Sequence, residues 1–356
     1  MLIRPKREPI GEIGAVLAYI SVFGLFAVVG CALPSNEEPG HQQESTHQTA
    51  ISRADGSADP ASWPGFPNIN NSCWFNATIK VLLMDPRFPK LMAAEHDLLF
   101  KPDVNKVRKA LLHLYTYIVV EHGKEHDRVR QDLIAVANSL AAMTSGASPD
   151  DEFKSILKSS GDARELLTKL LSRLLDPLSR STLANEVAFQ TFSIRDDKAR
   201  PVISRSHRAA YMTAFELTHV LRNLQDVLNL HTVSVPRPTE LFVKRPEPVG
   251  VVWESISGVE KRSKDRRFAI EDEIVLSYYG LDDRGQMIGD AETVKYRPMA
   301  IQVAWAGHQV AYLRSTATNR WVLHDDQTVR VLESGSLTLP PGPNIGGAML
   351  EPIKAP

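Results

Sequence analysis

Residues 67–83 read Pro-Asn-Ile-Asn-Asn-Ser-Cys-Trp-Phe-Asn-Ala-Thr-Ile-Lys-Val-Leu-Leu, and they place one thiol, Cys73, where two kinds of sequence meet. The residues before Cys73 are polar and rich in Asn, which is typical of a loop. The residues after it have apolar side chains at the spacing of a buried helix, namely Trp74, Phe75, Ala77, Ile79, Val81 and Leu82. The pattern therefore predicts Cys73 in the first turn of a helix. At that position the helix dipole and the N–H groups of the first turn stabilise a thiolate, the nucleophilic form of cysteine.

A nucleophilic cysteine needs a base and a group that orients the base, and the C-terminal part of the chain offers both. His308 precedes a stretch of alternating apolar residues, and Asp325 lies 17 residues after it, followed by Asp326. This spacing fits two adjacent strands joined by a hairpin through residues 315–319. His308 is the candidate base that accepts the thiol proton, and one of the two aspartates would hold the imidazole in the required tautomer.

Two segments of the chain resemble the signature boxes of the ubiquitin-specific proteases (USPs), a papain-like clan of deubiquitinases. Residues 68–76 have the pattern Asn-x-x-Asn-x-Cys-Trp-Phe-Asn and resemble the Cys box. Residues 296–312, together with Trp-x-x-x-Asp-Asp at residues 321–326, resemble the His box. Two weaker similarities lie between the boxes in the family's order, at Asp162 to Leu167 and at Pro238 to Arg245. The resemblance covers residues 63–335.

The resemblance implies a papain-like α+β fold, in which a helical lobe carries Cys73 and an antiparallel β-sheet lobe carries His308 and the aspartates. A substrate cleft would lie between the lobes. The family pattern favours Asp325 as the third member of the triad and leaves Asp326 as the alternative, or as a group that polarises a water or an oxyanion donor. Asn68 stands at the position of the family's oxyanion-hole asparagine, with capping of the helix as its alternative role.

Further implications concern the substrate channel and the departures from the family. Trp74, Trp305 and Gly307 flank the proposed site and would line a narrow tunnel for the two glycines that end ubiquitin; core packing is the alternative for both tryptophans. Asn70 replaces a Gly that is usual in the Cys box. No cysteine follows Cys73, so the zinc knuckles of the family's fingers region cannot form, and we expect reduced fingers without zinc. No metal or organic cofactor is implied.

Apolar spacing predicts helices in the first part of the chain and strands in the second. The predicted helices are Val104 to Glu121, Val129 to Met143, Asp151 to Leu157, Glu165 to Leu178 and Ala209 to Leu230. The predicted strands are Glu240 to Lys244, Phe268 to Tyr278, Arg297 to Trp305, Gln309 to Arg314 and Arg320 to Leu323. The strands should form a twisted antiparallel sheet with hairpins.

Residues 1–31 predict a targeting segment. Three basic residues precede an uncharged apolar run from Ile13 to Gly30, of about 18 residues, close to the length that crosses a bilayer. The run ends at Cys31, which resembles the acylated cysteine of a bacterial lipoprotein signal; an uncleaved signal anchor is the alternative. Either would tether the protein to a membrane. Polar residues 32–62 predict a flexible linker, and residues 63–356 a USP-like protease domain.

Composition excludes some classes of protein. The chain has 356 residues, of which 43% are hydrophobic and 23% charged, as in ordinary globular proteins. A net charge of -1 gives no support for a nucleic-acid partner, which would need a concentrated basic surface. Two cysteines cannot build a disulfide framework.

The sequence thus predicts a cysteine isopeptidase that removes ubiquitin, or a ubiquitin-like modifier, from proteins through a thioester intermediate. The alternatives are an inactive module that binds ubiquitin, and a papain-like peptidase or acyltransferase with an unrelated substrate. Two glycosylation sequons, at Asn70 and Asn76, flank Cys73, and glycans there would cover it. The domain should therefore not mature in a eukaryotic secretory lumen. With the lipoprotein-like start, this favours a bacterial surface-tethered or secreted effector that acts on host proteins.

Overall fold

A computed structural model describes the part of the chain that carries the predicted site. The described residues are 59–85, 87–145, 148–149, 161, 166–167, 170, 173–174, 189–197, 200–209, 211–216, 223–226, 228, 240–242, 249–255, 267–281, 287–305, 307–339 and 344–353. All of them belong to one compact unit, Glu44–Pro356. The predicted targeting segment with Cys31, nearly all of the predicted linker and the predicted helix Asp151 to Leu157 lie outside the described residues.

The helices of the N-terminal part follow the predicted apolar spacing. They are α1 (Cys73–Leu83), α2 (Phe88–Leu91), α3 (Pro102–Tyr115) and α4 (His126–Ala142). A π-helical turn, Thr116–Val120, extends α3, and 3-10 turns occur at Pro60–Ser62 and Ala94–Leu99. The two predicted helices that begin at Val104 and Val129 are confirmed. Five positions of the predicted helix 165–178 are described, and all five are helical.

The strands are mostly C-terminal. They are β1 (Thr144–Ser145), β2 (Ser148–Pro149), β3 (Phe189–Asp197), β4 (Arg200–Ala209), β5 (Tyr211–Glu216), β6 (Glu240–Phe242), β7 (Val249–Ser255), β8 (Phe268–Ile270), β9 (Ile274–Leu281), β10 (Met287–Trp305), β11 (His308–Arg314), β12 (Trp321–Asp325), β13 (Thr328–Val331), β14 (Leu337–Leu339) and β15 (Asn344–Pro352). The five predicted strands are confirmed in position. The stretch predicted from Phe268 to Tyr278 is divided into β8 and β9, and β10 begins before its predicted start.

Among the described strands, eleven form one sheet, whose main path runs β13-β12-β11-β10-β9-β6-β3-β4. Strand β15 pairs with β10 and β7, and β5 pairs with β7. Most neighbours are antiparallel, as expected, but β5 with β7 and β6 with β9 are parallel. Strand β11 lies between β10 and β12 in this sheet, so the residues at its start and at the end of β12 share one edge of the hairpin.

Two apolar clusters cover the two faces of the sheet at β11, because successive side chains of a strand point to opposite sides. Ala311 and Leu313 pack with the helices, and Tyr312 packs in the second cluster with Trp321 and other residues of the sheet. Every residue of α1 is buried, including the polar ones. Helix α1 therefore lies against the sheet with Cys73 at its N-terminal end.

The helix predicted from Ala209 to Leu230 is wrong over its first part. Strand β4 continues to Ala209, and residues 211–216 form β5, which pairs in register with Val249–Ser255 of β7. Tyr, Met, Thr, Ala and Phe fit a half-buried strand as well as a helix, and pairing with β7 decides between them. Residues 224–226 and 228 are helical, so the prediction is confirmed only near its end.

The described part of the chain begins at Asp59, four residues before the predicted domain start at Trp63. Asp59 accepts a hydrogen bond from the Ser315 hydroxyl at 2.7 Å and caps the Pro60–Ser62 turn through the Ala61 N–H. These contacts attach the end of the predicted linker to the β11–β12 hairpin. Within the described ranges, no helix combines the length and the apolar character needed to cross a bilayer.

Candidate active site

The loop before Cys73 is held in a compact form by its own polar side chains. Ser72 donates its backbone N–H to Asn68 Oδ1 at 3.0 Å, and the Ser72 hydroxyl accepts the Ile69 N–H at 2.8 Å. Asn70 and Asn71 both have left-handed backbone conformations, with φ of 52° and 66°. Asn tolerates this region better than most residues, which explains why it can replace the family's Gly at position 70. The loop delivers the chain to Cys73, the first residue of α1.

The Cys73 thiol is buried, with 6% of the residue exposed. Burial raises the pKa of the thiol above its ordinary value, and the negative charge of Asp326 adds to that rise. Hydrogen bonds from the backbone N–H groups of Gln309, Trp74 and Cys73 itself act in the opposite direction without prevailing. The helix N-terminus thus does not by itself produce the thiolate expected from the sequence, because desolvation is the larger effect. A neighbouring base has to take the proton.

His308 and Asp325, the candidate base and its candidate orienting group, contact each other. His308 begins β11, Asp325 ends β12, and His308 Nε2 lies 2.5 Å from Asp325 Oδ1. This contact leaves Nδ1 as the ring nitrogen that can serve the thiol. The backbone N–H of Gln309, the next residue after His308, acts to lower the pKa of the Cys73 thiol, so the start of β11 lies near the sulfur.

Asp326 connects the Cys73 loop and α1 to the turn after β12. Its carboxylate accepts hydrogen bonds from Asn68 Nδ2 at 2.7 Å and from Asn76 Nδ2 at 2.9 Å. Its backbone carbonyl accepts the Phe66 N–H at 2.7 Å and the Lys80 ammonium at 3.4 Å. Asp326 has φ of 48° and does not bond His308 in this arrangement. His308 is thus bonded to Asp325, and Asp326 connects the Cys73 loop and α1 to the turn after β12.

The side chain of Asn68, the candidate oxyanion donor, is held by two hydrogen bonds. Its amide oxygen accepts the Ser72 N–H, and one amide N–H goes to Asp326, so the orientation of the group is fixed on both sides. An amide NH₂ has two hydrogens, and the second can donate to a substrate oxygen.

The residues predicted to line a substrate tunnel are placed differently from one another. Trp74 is 0% exposed and packs against Gly161, where an added Cβ would come within 2.6 Å of the indole. Its surroundings are those of the core, the alternative that the sequence left open. Gly307 is exposed, with φ of +80°, in the tight turn that pairs Trp305 with His308. The side chain of Trp305 lies outside the described part of the structure.

Two buried ionisable residues beneath the site were not singled out in the sequence. Lys80 is 1% exposed, and its ammonium lies 4.4 Å from the centroid of the Phe66 ring. Burial lowers the pKa of Lys80 to about 7, although the charges of Asp326 and Asp325 act to raise it. Burial, followed by the charge of Lys80, also lowers the pKa of His324 well below its usual value. A charged residue within an apolar helical run was the available signal.

One group of metal-capable donors occurs among the described residues. The donor atoms of His308, Asp325 and Asp326 all lie within 4.8 Å of one another. We assign these side chains to hydrogen bonding rather than to metal, because His308 and Asp325 bond each other and the Asp326 carboxylate is occupied by two amides.

A buried helix with Cys73 at its start, packed on a sheet that presents His308 and Asp325, defines an α+β fold like that of the USP-type deubiquitinases. No protein-family model matches the sequence, and a search of curated proteins also returns no match. Solved structures do match. The SAGA Ubp8/Sgf11/Sus1/Sgf73 DUB module bound to ubiquitin aldehyde superposes with a TM-score of 0.56 at 10% identity, over 85% of this chain and 72% of that chain.

The same module with a Ubp8 variant, bound to monoubiquitin, gives a TM-score of 0.57 at 9% identity, over 88% of this chain and 74% of that chain. At this identity the likeness establishes the fold, and the chemistry has to be argued from the side chains.

Proposed function

We propose that this protein is a cysteine isopeptidase that removes ubiquitin or a ubiquitin-like modifier from proteins. The observation that carries the proposal is the 2.5 Å contact between His308 Nε2 and Asp325 Oδ1, at the start of a strand whose next residue, Gln309, acts through its backbone N–H on the Cys73 thiol. Such an arrangement activates a cysteine for acyl transfer. The USP-like fold supports the choice of substrate, because two of the similar structures are complexes with ubiquitin aldehyde and with monoubiquitin.

In the first half of the reaction, His308 takes the proton of Cys73, and the thiolate attacks the carbonyl carbon of the isopeptide bond. The negative charge on the carbonyl oxygen is stabilised by Asn68 and by the backbone N–H of Cys73, together on the order of 3 kcal/mol. The tetrahedral intermediate collapses by breaking the C–N bond. His308 gives its proton to the leaving lysine amine, and the acyl group remains on sulfur as a thioester.

In the second half, His308 removes a proton from water as the water oxygen attacks the thioester. The C–S bond breaks, the modifier leaves with a free carboxylate, and the sulfur recovers the proton held by His308. Asp325 keeps the imidazole in one orientation through both halves and stabilises its charged form. Water replaces the amine, so the overall reaction is hydrolysis.

We infer that the helices around α1 form the lobe of the nucleophile and that the sheet forms the lobe of the base, with the substrate tail between them. Strands β3, β4 and β5 would take the place of the zinc-bearing fingers, reduced and without metal. The N-terminal segment would tether the enzyme to a bacterial membrane through Cys31 or as an uncleaved anchor. Labelling with palmitate tests this location, since a lipoprotein should incorporate the label and lose it in Cys31→Ser, whereas an uncleaved anchor should incorporate none.

The activity is tested by incubating the full chain with ubiquitin that carries a C-terminal electrophile. A covalent adduct that is lost in Cys73→Ala supports the isopeptidase. Tight binding without an adduct supports an inactive ubiquitin-binding module instead. Absence of both, with each modifier in turn, points to a papain-like peptidase or acyltransferase with an unrelated substrate.

A further inference from the structure

Helix α1 carries a lysine at a position where a charge is unfavourable. Lys80 is 1% exposed in a helix whose residues are all buried, and burial of an ammonium group is among the costliest placements in a protein. Its described contacts are the Asp326 carbonyl oxygen at 3.4 Å and the face of the Phe66 ring at 4.4 Å. A side chain of similar length without charge, such as Met, would fill the same space. Space filling therefore does not explain why this position carries an ammonium group.

The ammonium lies under the turn that holds the two aspartates of the site. Asp326 occupies the left-handed region with φ of 48°, and its carbonyl is bonded from one side by the Phe66 N–H and from the other by Lys80. Because the carbonyl direction and the φ and ψ angles of a turn are linked, fixing this oxygen fixes the turn. The turn in turn determines where the Asp325 carboxylate points.

The charges of both neighbouring carboxylates act on the Lys80 ammonium. Asp325 and Asp326 are adjacent in sequence, and their charges raise the pKa of Lys80 against the larger effect of burial, which shows that both act on the ammonium. Lys80 contacts a backbone oxygen rather than either carboxylate. It thus supplies positive charge without competing with His308 for Asp325 Oδ1.

The other basic group near the turn is unsuited to this role. His324 is buried on β12, and its Nε2 lies 3.0 Å from the Pro60 carbonyl oxygen, to which it donates. Its Nδ1 has no hydrogen-bond partner among the described residues. Burial, followed by the nearby charge of Lys80, lowers the pKa of His324, and the His324 ring faces Pro60 whereas Lys80 faces the turn.

We propose that Lys80 is a positioning residue of this site, whose ammonium group holds the Asp326 carbonyl and thereby fixes the turn that presents Asp325 to His308. The inference rests on the proposed function of the site, and it adds a residue that acts through the backbone of Asp326. Its effect is measurable on the reactivity of Cys73 without any ubiquitin, because the imidazole that Asp325 orients is the base of the thiol.

The test compares full-length Lys80→Met, Lys80→Gln and wild type in the alkylation of Cys73 by iodoacetamide. The label on the Cys73 peptide is followed by mass spectrometry from about pH 5 to about pH 9, since only the thiolate reacts. We expect Lys80→Met to lower the rate at neutral pH at least about tenfold and to shift the profile toward that of a buried thiol without a base. Lys80→Gln keeps a hydrogen-bond donor, so its alkylation rate should fall less than that of Lys80→Met.

Thr78→Val is the matched control. Thr78 is buried on the same helix and accepts a hydrogen bond from Gln302 Nε2 at 2.9 Å, on the side of β10 rather than of the turn. We expect this variant to lose stability while its alkylation profile keeps the wild-type midpoint. A loss of reactivity caused by general loosening of α1 would appear in the control as well.

The outcomes separate this inference from the proposed function. Lys80→Met and Lys80→Gln with rates within about twofold of wild type, or a control that shifts equally, would overturn the inference. If Lys80→Met does not fold by circular dichroism, Lys80→Gln decides in its place. If wild type forms no adduct with electrophilic ubiquitin while Cys73 alkylation still depends on Lys80, the proposed function fails and the inference stands. With an active enzyme, kcat should fall in Lys80→Met and KM should stay within about twofold.

Discussion

Asp325 and Asp326 are chemically identical neighbours, and the structure gives them different partners. Asp325 Oδ1 meets His308 Nε2, whereas both oxygens of the Asp326 carboxylate accept hydrogen bonds from amides of the Cys73 loop and α1. A carboxylate that orients a histidine acts on the reaction, and one that joins two segments acts on the fold as well. The two substitutions to alanine should therefore differ in kind.

We predict that Asp325→Ala lowers kcat on a ubiquitin–fluorophore substrate by roughly a hundredfold or more, because the imidazole loses its tautomer and orientation. The Asp325 side chain is 41% exposed, so the melting temperature of the Asp325→Ala protein should stay close to that of wild type. Asp326→Ala should lower both activity and melting temperature, since it removes two hydrogen bonds between distant segments. Equal effects of the two variants on both quantities would contradict this assignment.

A second residue-scale prediction concerns Asn70, whose φ is 52°. Asn70→Ala and Asn70→Gly both remove the side-chain amide, so their difference reports the cost of the left-handed conformation to alanine, reduced by the greater freedom of glycine in the unfolded chain. Alanine in that region is disfavoured by roughly 1 to 2 kcal/mol, and glycine is not. Urea unfolding should find the alanine variant less stable by about 1 kcal/mol than the glycine variant. Similar stabilities would mean that the loop changes conformation when the asparagine is removed.

The titration of Cys73 gives a third prediction. Burial is the main cause of the raised pKa of the Cys73 thiol. In His308→Ala we expect the midpoint of iodoacetamide alkylation to move to higher pH and the rate at neutral pH to fall about tenfold or more. Asn319 lies far along the β11–β12 hairpin, and Asn319→Gly, which preserves its φ of 57°, serves as the control. A midpoint unchanged in His308→Ala would mean that another group generates the thiolate.

At the scale of elements, the β11–β12 hairpin shows what sequence patterns specify. Alternation after His308 and the spacing to Asp325 predicted two adjacent strands, and the register Ala311 with His324 and Arg314 with Trp321 follows from the turn between them. The same reasoning marks Lys80 only as a charged residue within an apolar helical run. A lysine in an apolar helix is expected at the surface, and its burial depends on the turn from a distant part of the chain.

The segment that leads into the Cys73 loop packs on the turn after β12 without space for a side chain. A Cβ on Gly65 would lie 2.1 Å from the Gln327 carbonyl oxygen, which belongs to the backbone and cannot move aside by rotation. Gly65→Ala should therefore push the segment outward and weaken the bond from the Phe66 N–H to the Asp326 carbonyl. We expect a loss of about 1 to 3 kcal/mol in unfolding free energy.

Gly335→Ala is a suitable comparison, since an added Cβ there meets nothing within 4 Å. The comparison variant should unfold at the wild-type urea concentration. Gly65→Ala should also slow Cys73 alkylation, because the displaced turn carries Asp325. A stable Gly65→Ala protein with wild-type reactivity would show that the close approach is not needed at the site.

Across the whole molecule, short-range sequence patterns predicted the secondary structure at the two ends of the described domain better than in its middle. Helix α1 and the C-terminal hairpins have periods that differ clearly, 3.6 against 2. The stretch from Ala209 to Leu230 has apolar residues compatible with both, and β5 became a strand because β7, some forty residues later, offers a parallel partner. Pairing between distant strands is a tertiary effect that no short window contains.

The shifted pKa of Lys80 makes the unfolding free energy of the fold depend on pH, and the direction of this dependence follows from the number of protons bound. Its pKa falls from 10.5 to about 7 on folding, so between these values the unfolded chain binds more protons and unfolding free energy rises with pH. At pH 7 and below the buried charge is a full penalty. Lys80→Met lacks that penalty and should be more stable than wild type near pH 6, by on the order of a few kcal/mol.

The advantage of Lys80→Met should shrink as pH rises through the window and nearly vanish near pH 10. Urea unfolding of both proteins near pH 6 and near pH 10 measures this difference in unfolding free energy. The titration of other groups cancels when the two proteins are compared. A variant that is more stable yet slower at Cys73 would show that the chain keeps an unfavourable charge for its effect on the site, the trade-off expected of functional residues. A stability difference that does not change with pH would mean that Lys80 keeps its charge, and its ordinary pKa, inside the fold.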